Sequence, residues 1–154
     1  MKAKKRNYTL HWKLMEPYNF FIVVATGPDR EGIRRELRRS FKVKRGSKEP
    51  PLDAFFVGPE RDYGPNNYPD GLCIFLDGTD NIVIYIKKLY PDLPTLVHEL
   101  YHAVRKAARS FGFEGGVDEA EAHLFQCAFE YFTRKIKEDC RAMTGAEQDK
   151  GGRK

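Results

Sequence analysis

The chain has 154 residues, of which 41% are hydrophobic, 13% aromatic and 32% charged, with a net charge of +5. Those are the proportions of a single globular domain, not of a disordered chain. The longest apolar run, residues 20–25, is strand-sized and falls well short of the roughly 18 residues that cross a bilayer. The basic N-terminus is not followed by the continuous apolar stretch of a secretory signal, so a cytoplasmic protein with no membrane association is expected.

Residues 1–7 are polar and basic and read as disordered. From Tyr8 to Leu14, apolar and polar residues alternate with the period of a half-buried strand. Residues 20–26 form a second strand, rich in β-branched and aromatic side chains, and Gly27-Pro28-Asp29 ends it and caps the next element. Between 30 and 43, Ile33, Leu37 and Phe41 recur every four residues while Arg34, Arg35, Arg38 and Arg39 fill the other faces. That is an amphipathic helix with a basic exterior. Residues 44–53 read as a loop, 54–57 as a short strand, and 58–70 as an irregular excursion with three prolines. Two further strands, 71–76 and 81–87, are joined through Asp77-Gly78, a hairpin signal. A helix is expected over 95–111, broken by Gly112, Gly115 and Gly116, then a second over 117–140. The expected organisation is one domain over 1–140 with a flexible tail at 141–154. Its fold class is α+β, a small, mostly antiparallel sheet backed by helices.

Charge is uneven along this order. Residues 1–50 carry 14 Lys/Arg against 5 Asp/Glu, and the remainder 13 against 17. The basic third could meet an acidic partner or nucleic acid, or could be an ordinary solvated face. Cys73, Cys127 and Cys140 show no CxxC spacing, so they read as free thiols and not as a disulfide framework or a thiolate zinc site.

The sharpest chemical signal is His98-Glu99-Leu100-Tyr101-His102. Two histidines four apart on a helix lie one turn apart on one face, so both imidazoles reach a single metal ion. The glutamate beside that face reaches a water on the metal, which is the H-E-x-x-H arrangement of zinc peptidases. A hydrolytic zinc site takes three protein ligands and leaves one position for water. No histidine follows His102 at the short spacing of the metzincin pattern, since positions 105, 108 and 111 are Arg, Ala and Phe. Beyond the glycine break comes the acidic helix start Asp118-Glu119-Ala120-Glu121-Ala122-His123.

These two segments together resemble the gluzincin clan of metallopeptidases, in which H-E-x-x-H pairs with N-E-x-x-S-D on the next helix. They are also similar to the acidic E-x-x-A-[ND] element of small ImmA/IrrE-type families, and the short chain looks like a minimal member of the size seen in phage and prokaryotes. The resemblance spans about residues 82–132. It implies Zn2+ held by His98, His102 and Glu119, with Glu99 as general base. His123 stands where the clan has a supporting carboxylate or amide, which leaves it open as a ligand itself. Helical phase offers Glu121 as another candidate, because it shares a face with Phe125, Ala128 and Phe132.

The expected function is therefore a zinc-dependent metallopeptidase acting on a peptide or protein substrate. Tyr101, Tyr131 and the tyrosines of 58–70 are candidate oxyanion donors, and the strand 81–87 is a candidate for pairing with an extended substrate. The rival reading is a nucleic-acid-associated or regulatory protein, with a structural or degenerate zinc site and a basic helix at 30–43. His11 reads as an exposed residue without a role, and Phe125, Phe129 and Phe132 as core.

Overall fold

Two apolar runs, Phe20–Thr26 and Ile82–Ile86, set the architecture because each is too apolar to leave either face in water. In a computed structural model they become the paired central strands of a four-stranded sheet. That structure describes residues 7–16, 18–41, 70–76, 81–112 and 118–151, the side chains of 118 and 143–151 excepted. The elements are β1 (Thr9–Met15), β2 (Phe20–Thr26), α1 (Arg30–Ser40), β3 (Gly71–Phe75), β4 (Ile82–Ile86), α2 (Leu93–Ser110) and α3 (Asp118–Gly151). The expected α+β fold is what the chain adopts. The loop 44–53, the short strand 54–57 and all but the last residue of the excursion 58–70 lie outside the described residues.

The strand order is β1-β2-β4-β3. β1 with β2 and β3 with β4 are antiparallel, the latter in the register Phe75↔Ile82 that the Asp-Gly link suggests. The central pair, β2 with β4, is parallel. Parallel neighbours need a crossover connection, and α1 lies on that connection. β4 thus has neighbours on both sides, so it is not available for strand pairing with a substrate. Among the described residues the end strand that packs on α2 is β3, and the end strand that packs on α3 is β1.

Alternation along β2 and β4 feeds two cores. Ile22, Val24, Ile82, Ile84 and Ile86 face Leu96, Leu100, Ala103, Val104 and Ala107 of α2, with Leu124, Ala128 and Phe132 of α3. Val23, Ala25, Val83 and Tyr85 face the other way, onto Ile33 and Leu37 of α1. The sheet is therefore sandwiched, α1 on one face and the α2–α3 pair on the other. Phe125 and Phe129 are half-buried against the same core as Phe132.

Local chemistry places the helix ends. Asp29 caps α1 by accepting from the Gly32 N–H at 2.9 Å. Gly27, at φ 121, allows the chain to turn out of β2 into that cap. Asp92 caps α2, accepting from the Thr95 N–H at 3.0 Å, with Pro94 in the first turn. α2 stops at Gly112, whose φ of 76 is the left-handed conformation that glycine adopts at no steric cost. α3 continues to Gly151, beyond the Cys140 boundary expected from sequence. Residues 141–150 contain no proline and several strong helix formers.

α3 also secures β1. The Tyr131 hydroxyl donates to the Trp12 carbonyl at 2.8 Å, and His11 Nε2 lies 2.8 Å from Asp139 Oδ2. The expectation of an exposed His11 thus gives way to a half-buried imidazole with a carboxylate partner 128 positions away. Single-strand alternation could not reveal that partner. Tyr131 is likewise committed to β1 and not to the candidate site.

Candidate metal centre

His98 and His102 fall in the first half of α2 because the apolar positions Leu96, Leu100, Ala103, Val104 and Ala107 turn toward the sheet. The remaining face carries the histidines outward. Their Nε2 atoms are 3.1 Å apart, and the ring centroids 4.6 Å apart at 80°. One imidazole donates to the other across this contact. Both lie on the wall of a cleft of about 630 Å³, formed between β3 and α2.

Glu99, one residue on, turns inward to the floor of the same cleft and is only 7% exposed. It lies directly over Gly71 of β3. A Cβ at Gly71 would sit 2.6 Å from Glu99 Oε1, 2.8 Å from Cγ and 2.9 Å from Cδ. Glycine here makes the space into which the carboxylate fits. Burial raises the Glu99 carboxyl above the ordinary carboxylate range, and the neighbouring His98 and His102 partly offset this. Cys73 faces the cleft as well. Burial, and next the Glu99 charge, push its thiol up to about 12, against a smaller opposing effect of Lys106, so it stays a neutral thiol.

Tyr101 is exposed and its oxygen accepts a 2.9 Å hydrogen bond from Arg105 Nη1. Arg105 also lies 3.7 Å, Nε to Oε1, from Glu121 on α3. A smaller space of about 440 Å³ opens between these residues, Val104, Ala122 and Phe125. Glu121 is therefore oriented toward α2, one turn along from His102. Glu119 is exposed at the start of α3. His123 is exposed and lies 3.6 Å from Cys127 Sγ. The structure thus brings together His98, His102 and Glu99, and does not bring Glu119, Glu121 or His123 to them. Among the described residues, no three His, Cys, Asp or Glu side chains are arranged to hold a metal ion.

The histidine pair itself fits a cation. Zn–N bonds of 2.0–2.1 Å in tetrahedral geometry place two nitrogens about 3.3 Å apart, close to the 3.1 Å found here. Sequence reasoning had no means of finding Gly71 or Arg105, since the partner of each lies on another element. Tyr63 and Tyr68 lie outside the described residues. Of the tyrosines considered as oxyanion donors, Tyr101 alone among those described lines the cleft.

The chain was compared with known proteins: no family model, no curated protein and no solved structure matches it. Among the described residues, no helix is long and apolar enough to cross a membrane.

Proposed function

We propose that this chain is a zinc-dependent metallopeptidase of gluzincin type. The observation that carries the reading is the His98–His102 pair, 3.1 Å apart on a cleft wall, with the Glu99 carboxylate seated in the same cleft over Gly71. A bound zinc would supply Lewis acidity and a water acidic enough to ionise near neutral pH. His98 and His102 would hold it as neutral imidazoles. Glu99 takes the proton of the attacking water and passes it to the leaving amine. Tyr101, whose oxygen is engaged by Arg105, keeps its own hydroxyl hydrogen for the substrate carbonyl.

The third ligand is Glu119 by resemblance to the clan, while packing favours Glu121, which already faces α2. Metal analysis of purified protein is expected to find about one zinc per chain. It should disappear in a His98→Ala/His102→Ala variant, and fall in whichever of Glu119→Gln and Glu121→Gln removes the third donor. Glu99→Gln should retain metal and lose hydrolysis. A protein that stays zinc-free under zinc-replete conditions refutes the proposal.

The nucleic-acid reading has less support. On α1, Arg35 and Arg39 are exposed, but Arg30, Arg34 and Arg38 are half-buried, with guanidinium nitrogens shielded from solvent. Phosphate contact favours accessible charges.

A further inference from the structure

Beyond the histidine pair, the cleft wall changes character. Arg105, Lys106 and Arg109 come after His102 on the cleft side of α2. Glu99 is the one carboxylate among the described residues that line the cleft, and it lies at the opposite end from Arg109. Arg105 is partly countered by Glu121. Among the described residues no carboxylate pairs with Lys106 or Arg109. Lys106 is held in place, its Nζ 4.9 Å from the centre of the Phe75 ring. Gly71 lies against Glu99 and Phe75 against Lys106, so β3 runs alongside α2 in the same direction. The floor of the cleft therefore leads from the proposed reaction centre to the cations.

Resting on the peptidase reading, we propose that this end of the cleft selects acidic substrates, with Lys106 and Arg109 as the residues that determine specificity. A helix rises about 1.5 Å per residue, which puts Lys106 about 6 Å and Arg109 about 10 Å from His102 along the axis. An extended peptide rises about 3.4 Å per residue. The favoured Glu or Asp then stands two or three residues from the cleaved bond, on one side only. Partly exposed charge pairs each contribute up to a few-fold in affinity, so two together give about tenfold.

The test has two arms. In the first, the Glu99→Gln variant of the full chain is titrated with fluorescent peptides of alternating Glu-Ala, Gln-Ala or Lys-Ala at low salt. Glu-Ala should bind about tenfold tighter than Gln-Ala, and added salt should erase the difference. Lys106→Glu/Arg109→Glu should reverse the order in favour of Lys-Ala, and Lys106→Gln/Arg109→Gln should equalise all three. In the second, the wild-type chain digests a mixed peptide pool, and cleavage sites are read by mass spectrometry. Acidic residues should be enriched two or three positions to one side of the cut. Cleavage without that enrichment, together with equal binding of the three peptides, overturns the specificity while leaving the peptidase intact. Tight acidic binding without any cleavage removes the peptidase and leaves an acidic-peptide cleft. Equal binding and no cleavage remove both.

Discussion

Gly71→Ala separates the position of Glu99 from its presence. The added methyl would lie 2.6–2.9 Å from three Glu99 atoms, whereas ordinary carbon contacts begin at about 3.5 Å. The carboxylate must therefore move by close to 1 Å. Gly71 lies in a strand without a positive φ, so the backbone accepts alanine, and the lower entropy of the unfolded chain returns about 0.4–1 kcal/mol. Overpacking costs about 1–3 kcal/mol, and the atoms displaced belong to a side chain with an open cleft beside it. The expected net loss of stability is about 1 kcal/mol, read as a small shift in the urea midpoint at constant slope. A displacement of that size at a catalytic base costs on the order of 10²-fold in turnover. On the proposed peptidase reading, hydrolysis should thus fall about a hundredfold while the zinc content, which that reading assigns to His98 and His102, is unchanged. Wild-type kcat/KM in a folded, metal-loaded Gly71→Ala protein would show that Glu99 does not act from the place where it is seated.

Other consequences are measurable without any substrate. Phe132 is fully buried where α3 meets the sheet, so Phe132→Ala should cost about 3–5 kcal/mol in urea or thermal unfolding. A loss below 1 kcal/mol would contradict the docking of α3 on the sheet. The Asp92 carboxyl is held well below the usual range, first by the Lys88 ammonium and then by Thr95. Its charged form is favoured in the folded chain, so it stabilises above about pH 4, the unfolded carboxylate value, and progressively less as pH falls below it. Asp92→Asn keeps the helix cap but should flatten the loss of stability on acidification from pH 4 to 2; an unchanged acid slope would rule this out.

Much of the fold is legible in local chemistry. The β-branched runs of β2 and β4, the Asp29 cap and the glycine stop at Gly112 each act within a few residues. The histidine spacing likewise depends only on the helical repeat, which makes the His98 and His102 rings neighbours. What the sequence left open are choices between distant partners. β2 and β4 carry strand residues that suit either direction, and only the crossover through α1 makes them parallel neighbours. That choice places β4 in the centre of the sheet and sends β3 to the cleft. The phase of α3 was set by docking Leu124, Ala128 and Phe132 onto the core, which turned Glu121 toward Arg105 and left Glu119 exposed. His11 with Asp139 and Glu99 over Gly71 are pairings of the same kind. Periodicity fixes which residues share a face. Burial of that face against another element fixes what they touch, and that free energy exists only once the chain has closed on itself.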